Sequence, residues 1–389
     1  MFQHSDLLIA GILFLAGLCL GAANDTLKYG SPESVGLLAE PLQLMEKNVS
    51  AYLHPAYYGV FSSYEVHPIQ PGGVVLIGHQ STIVSEFAFG KASEYVDANG
   101  TQLPPDQQTA ATIDTIYDMA SLTKCFTAVI ALRYIEDGTL DYTQPVSKYL
   151  PDFATNGKEN VTMVMLFTHT SGFPPDPEPG LNDPMYTSVE QRRKAAIEYP
   201  LEDAPGSTYT YSDLNFINMG FILEAITNRT LDSLMRDLTT SLGMRSTFYN
   251  RGNVEGPVFP FYSRMAPQEF QMETNGAKAP TRPQPVHGTV HDPNAWALGG
   301  VSGHAGLFST VRDVAKLCQM ILNNGTYNGK RIYKKETIDL MFRVFNPGFP
   351  GDEHSIGFEI NQYYFSGPLR TYNPIRKALV GRDANETFE

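Results

Sequence analysis

Residues 116–153 read IYDMASLTKCFTAVIALRYIEDGTLDYTQPVSKYLPDF, and this stretch decides the fold. From Ser121 to Glu136 the pattern is helical, and Gly138 stands where a left-handed C-terminal cap is expected. The helix is apolar nearly all round, from Cys125 and Phe126 through Ala131 and Leu132, so it belongs at the centre of the molecule. At its start, Ser121 and Lys124 lie three residues apart and share a face. A serine is a weak nucleophile until a base takes its proton. A lysine sheltered in a cleft, beside the positive end of a helix, gives up its own proton more readily. The same helix end offers backbone N–H groups to a developing oxyanion. By itself the pattern describes equally well an N-cap serine beside a surface lysine, so the surroundings must decide.

Toward the N-terminus, residues 73–77 (GVVLI) and 82–89 (TIVSEFAF) are rich in β-branched and aromatic side chains, with Gly78 to Ser81 between them. They read as a β-hairpin. A helical pattern runs from Pro32 to Leu53. Toward the C-terminus, signals from Asp141 to about Met244 are mostly helical, which predicts an all-helical subdomain at about 141–245. A long irregular segment, Tyr249 to Gly306, follows; loops of this length in a compact protein usually line a site. Helices are expected at Val311–Leu322 and Lys334–Phe342, and a short strand at Ser355–Ile360. The architecture is therefore α/β plus an all-α subdomain, with the site at the seam. A second chemical constellation is Tyr211-Ser212-Asp213, just before the apolar helix Phe216–Ile226. A tyrosine at such a turn can point into a cleft and shuttle a proton, though a packed aromatic would sit there too.

Residues 116–153 resemble the serine-lysine signature region of the β-lactamase-related serine hydrolases, a group holding class C β-lactamases, penicillin-binding D,D-peptidases and esterases. VTMVMLFTHTSGFP (161–174) resembles its next block, PGSTYTYSDLNF (205–216) its tyrosine motif, and VHDPNAWALGGVSGHAGLFSTVRDVAKL (290–317) its later Gly-rich block. Together these cover about Gly72 to Phe358 in family order, a far more specific signal than Ser-x-x-Lys alone. The resemblance implies a β-lactamase/transpeptidase-like fold with an antiparallel sheet. It implies an acylated nucleophile at Ser121, a base at Lys124 and a general base or acid at Tyr211, with the backbone N–H of Ser121 as one oxyanion donor. Asp213 stands where the family often has asparagine. A carboxylate there can pair with Lys124 and raise its pKa, which would blunt its basicity. Asp213 and His304 are the expected substrate-side residues.

The third family motif, Lys-Thr-Gly or His-Thr-Gly on an inner strand, has no match after the strand expected at Ser355–Ile360. About three strands are legible, too few to cover so apolar a helix. The expectation is a C-terminally truncated chain lacking the last strands of the sheet, and with it a rival reading as an inactive pseudoenzyme or binding protein. His304-Ala305-Gly306 fits the earlier Gly-rich block better than the missing motif. Gly300-Val301-Ser302-Gly303-His304 fails as a nucleophile elbow, because its fifth residue is not glycine. His287, His291, Asp292 and His304 raise the question of a metal. Gly288 and β-branched neighbours do not suit a helix, and no glutamate lies between the histidines, so no metal and no cofactor is called. His169 reads as a loop organiser.

Composition agrees with a folded domain: 389 residues, 42% hydrophobic and 18% charged. The net charge of −13 disfavours nucleic acid as a partner; the implied partner is a small ester or amide. Leu7 to Ala23 is almost wholly apolar and ends in Gly21-Ala22-Ala23, so residues 1–23 read as a signal peptide. The chain 24–389 is then expected to be secreted, with no stable membrane insertion unless that segment stays uncleaved. Asn-X-Ser/Thr acceptors occur at Asn24, Asn48, Asn99, Asn160, Asn228, Asn324 and Asn385, as expected of a glycoprotein. Of the three cysteines, Cys19 falls in the signal segment; Cys125 and Cys318 read as buried small hydrophobes.

Overall fold

The polypeptide forms two layers because its helices fall into two groups, one around a sheet and one around themselves. A computed structural model describes residues 26–56, 68–271 and 282–360; the signal segment, Asn24, Asn385 and the stretch beyond Ile360 in which the third family motif has no match lie outside them. In the first layer, β1 (Lys28–Tyr29) precedes α1 (Ala39–Ala51), and the expected hairpin forms from β2 (Gly72–His79) and β3 (Thr82–Ser93). β2 and β3 are antiparallel, and Gln80 and Ser81 take positive φ at their tight turn. The sheet order is β1-β3-β2, with β4 (Thr109–Ala110) on the far end of β3. The helix expected from Pro32 to Leu53 breaks at Gly36, which caps a 3-10 turn in a left-handed conformation.

Next come β5 (Tyr117–Asp118) and the central helix α2 (Thr123–Glu136). Residues 120–122 form a 3-10 turn, so the helix proper starts two residues later than its sequence suggests. Nine of its fourteen residues are buried, as the lack of a polar face predicts. Burying each large apolar side chain there contributes roughly 1.5–3 kcal/mol. The helical subdomain follows as α3 (Met163–Phe167), α4 (Val189–Glu198), α5 (Asp213–Thr227) and α6 (Leu231–Leu242). α5 has ten buried residues and packs against α2.

The chain then returns through β6 (Phe248–Tyr249), α7 (Pro293–Ala297), β7 (Leu307–Ser309) and α8 (Val311–Leu322). It continues through the β8–β9 hairpin (Thr326–Tyr327, Lys330–Arg331) to α9 (Lys335–Asp339). β5-β7-β6 form a small antiparallel sheet that anchors both ends of the site. The strand expected at Ser355–Ile360 is absent. His354 and Glu359 make one isolated bridge around a turn instead, and Gly357 packs where a Cβ would meet that of Ala128 at 2.2 Å.

One loop, 299–306, is wedged between α2 and α5. Gly303 lies so close to α5 that a Cβ would stand 2.1 Å from the Phe216 carbonyl oxygen. Thr127 of α2 donates to the Gly303 carbonyl (2.8 Å), Tyr249 to that of Ser302 (2.9 Å), and Thr123 accepts from the Leu307 N–H (3.2 Å). This wedge carries His304 into the space between the two helices that supply Lys124 and Asp213. Cys125 and Cys318 are unbridged and half-buried rather than fully sealed.

Candidate active site

The turn that presents Ser121 is built from backbone constraints. Ala120 has a positive φ of 44°, a conformation costly for any residue with a Cβ. Asp118 holds it there: one carboxylate oxygen accepts from the Ala120 N–H (2.8 Å), the other from the His291 N–H (3.0 Å). The Asp118 clamp thus joins the nucleophile turn to the loop before α7. Burial raises the Asp118 pKa, against the pull of those two N–H groups.

Lys124 is buried, only 4% exposed, and its amine makes three polar contacts. It donates to Ser121 Oγ (3.0 Å), to Asp213 Oδ1 (2.7 Å) and, at 3.4 Å, to the His304 carbonyl. The amine also lies over the Tyr211 ring, 4.7 Å from its centroid. The sequence expected serine, lysine and tyrosine to meet in one crevice, and the structure brings them together. It also pairs Asp213 with Lys124. Burial pulls the amine's pKa down, but the Asp213 carboxylate, and then Tyr211, more than reverse this, so the ammonium is held above its ordinary range.

Tyr211 is 43% exposed and its ring packs at 4.5 Å on that of His169. His169 takes a positive φ and its Nδ1 accepts from the Ser212 N–H and the Asn215 amide, both at 3.1 Å. Asn215 in turn accepts from Ser171 (2.6 Å). Burial, then His354 and Lys124, push the His169 pKa well down, so the ring is neutral and accepts at Nδ1. It organises the loop that carries Tyr211, as its sequence context suggests.

His304 requires a correction. Expected on the cleft surface, its side chain is only 1% exposed and sits one layer behind it. The wedge loop sinks it there, so it cannot touch substrate. Its Nδ1 meets Ser302 Oγ (2.8 Å), and its Nε2 meets Asp292 Oδ1 (2.9 Å) and approaches Asp213 Oδ2 (3.8 Å). Burial lowers the imidazole's pKa, but Asp292 and Asp213 together lift it above its ordinary value. Asp292 moves the other way: burial raises it, and His304 outweighs that and holds the carboxyl well below the usual range. Asp292 also caps α7, accepting from the Ala295 N–H.

Asp176 was missed from sequence. It lies in Pro174-Pro175-Asp176-Pro177-Glu178-Pro179, where prolines fix the backbone. The Pro175 carbonyl accepts from the Asp213 N–H (2.9 Å), and Glu178 N–H donates to Tyr199 (2.8 Å). Asp176 is an exposed residue whose carboxyl end turns in against Asp213. Partial burial, then the charges of Asp213 and Asp292, push it up to about 6. Asp213, Asp292 and His304 converge with ligand-type atoms within 4.8 Å of one another. Each already has a partner, Lys124 on Asp213 and His304 on Asp292, so the group is an ion-pair network. His287 lies apart, bonded to the Met265 carbonyl (2.8 Å).

Comparison with known proteins shows the family and the fold. Residues 61–378 match the family described as Beta-lactamase. The "Putative D-alanyl-D-alanine carboxypeptidase" of Escherichia coli strain K12 is 31% identical over 358 residues, covering 85% of this chain and 76% of that protein. Among solved structures, the octameric penicillin-binding protein homologue from Pyrococcus abyssi superposes with a TM-score of 0.57 at 20% identity. That match covers 82% of this chain, which spans only 64% of the Pyrococcus protein. EstCE1, a hydrolase with promiscuous acyltransferase activity, gives 0.57 at 21% identity over 82% of both chains. These two likenesses establish the fold, β-lactamase/transpeptidase-like with antiparallel strands. Fold, site geometry and matched family together place the chain in the β-lactamase-related family of serine hydrolases.

Proposed function

We propose that the chain is an acyl hydrolase that forms an acyl-enzyme on Ser121, acting on a small ester or amide. The observation that carries this is the 3.0 Å contact between Ser121 Oγ and the amine of the buried Lys124. In acylation the neutral Lys124 amine takes the Ser121 proton as Oγ bonds to the substrate carbonyl carbon. The backbone N–H of Ser121 is the proposed donor to the oxyanion. The alcohol or amine leaves with a proton delivered through Lys124 and Tyr211. Water then attacks the acyl-enzyme, and the acid departs. Because Asp213 holds Lys124 as its ammonium, the rate should climb with pH across the neutral range.

The test is intact-mass analysis after treatment with a fluorophosphonate. A single adduct lost in Ser121→Ala, with labelling slowed about 100-fold or more in Lys124→Met, is the expected result. Ester hydrolysis should then exceed release of D-alanine from a D-Ala-D-Ala peptide, the reaction named for the Escherichia coli relative. The rival reading is a non-catalytic protein of the same fold, and the tight Lys124–Asp213 pair favours it. A folded chain that takes no adduct at any pH would support that rival.

We further propose that the protein is secreted and glycosylated. Asn48, Asn99, Asn160, Asn228 and Asn324 are all exposed, as acceptors must be. Among the described residues no helix is long and apolar enough to cross a membrane. Secretion from glycosylating cells, with a mass drop on enzymatic removal of N-glycans, is the outcome expected.

A further inference from the structure

We propose that His304, locked by Asp292, is a positioning residue that governs Lys124 through Asp213. The proposal rests on the acyl-hydrolase reading above and adds to it a group that never touches substrate. Its support is geometric. The imidazole is sealed between two carboxylates, 2.9 Å from Asp292 and 3.8 Å from Asp213, and Ser302 fixes its other nitrogen at 2.8 Å. Asp213 reaches the Lys124 amine with its other oxygen at 2.7 Å. The His304 backbone carbonyl touches the same amine at 3.4 Å. The two oxygens of one carboxylate therefore face Lys124 on one side and the His304 imidazole on the other.

The groups facing this unit come from every neighbouring element. Lys124 is on α2, and Tyr211 and Asp213 are at the start of α5. Asp292 caps α7, Asp176 reaches in from the proline-rich loop, and His169 lies behind Tyr211. An imidazolium beside Asp213 neutralises part of the charge that Lys124 would otherwise enjoy alone. The amine then releases its proton more easily, and Ser121 finds its base. Without that imidazolium, Asp213 serves Lys124 only, and the ammonium is held more tightly. The sign follows: removing the His304 charge should slow acylation at those pH values where the imidazole holds its proton, and not above them. At an interaction of about one pH unit, the slowing is about tenfold.

The experiment is a double-mutant cycle on fluorophosphonate labelling between pH 6 and 10. His304→Gln keeps a hydrogen-bonding side chain and removes the charge; it should label about tenfold slower at a temperature where circular dichroism shows both proteins folded. In the Asp213→Asn background, the same change should alter the rate less than twofold, because the shared carboxylate is gone. Asp292→Asn adds a signature that a structural role would not produce. It leaves the imidazole but weakens its hold on a proton, so labelling should approach the parent's as pH falls and diverge as it rises. Equal slowing by His304→Gln in both backgrounds, or none in either, overturns the proposal. If the parent takes no adduct, the acyl-hydrolase reading has failed, and the positioning role is read separately. Trace acetylation of Lys124 by acetic anhydride, followed by peptide mass spectrometry, reports its neutral fraction without turnover. His304→Gln should lower that rate about tenfold, and an unchanged rate overturns the proposal.

Discussion

Gly303→Ala is the most demanding test of how the site is assembled. The added Cβ would stand 2.1 Å from the Phe216 carbonyl oxygen, 3.0 Å from the Gly220 nitrogen and 3.2 Å from the Gly220 Cα. All three atoms are backbone of a helix with ten buried residues, so they cannot step aside. Normal contact needs about 1 Å more room, and the wedge loop must supply it by lifting off α5. Overpacking of this kind costs about 3 kcal/mol, which in a domain of this size lowers the melting temperature by roughly 4 °C. The next residue is His304, and a displacement of about 1 Å there is enough to slow chemistry about 100-fold. Thermal melts by circular dichroism and the fluorophosphonate labelling rate measure both effects. Gly348→Ala is the control, since nothing lies within 4 Å of its Cβ position. If Gly303→Ala melts within a degree of the parent and labels at the parent rate, the loop is not the rigid wedge described here.

Three further outcomes are expected. Asp176→Asn should raise the melting temperature above pH 6 and leave it unchanged at pH 3.5. The folded protein keeps this proton up to about 6 while the unfolded chain loses it near 3.8, so stability falls as pH rises between them. The group is exposed, so the gain is about 1 °C. Lys158 is wholly buried against Phe153 and Phe173, with its amine on the Tyr199 carbonyl (2.7 Å), and burial pulls its pKa down to about 8. The parent should therefore gain stability as pH rises from 8 to 10, and Lys158→Met, with nothing to titrate, should show no such rise in melts across that range. Arg312 binds both oxygens of Glu86 at 2.7 Å, and Tyr29 of β1 donates to the same carboxylate at 2.8 Å. Arg312→Ala should cost about 1 kcal/mol, read as a melting shift of about 1–2 °C and faster proteolysis of the segment before α1.

What the sequence revealed of the site follows from how each group is specified. Ser121, Lys124, Tyr211 and Asp213 sit in local motifs at helix starts, so their types and spacing show before folding. The Asp213–Lys124 pair could be anticipated because a carboxylate replaces the family's usual asparagine there. His304 is visible in the sequence but its burial is not, because burial comes from a loop closing between two distant helices. Asp292 reads in the sequence as one of four possible metal ligands, although an aspartate before Pro293 is also a helix-cap signal that places it at the start of α7. Asp176 hides in a proline-rich run that reads as punctuation. For the fold, long periodic elements such as α8 were legible to the residue. Ser355–Ile360 was not, because a short apolar run carries too little periodicity to separate a strand from a turn.

Ala120 has an implication for the protein's tolerance of change. Exposed Ala120 is held in a conformation that glycine would adopt freely, immediately before the proposed nucleophile. The chain thus keeps about 1 kcal/mol of stability in reserve at one codon. A laboratory selection for heat resistance should find Ala120→Gly early, and the survivors would reveal whether the hydroxyl next door needs a taut hinge or merely a fixed one.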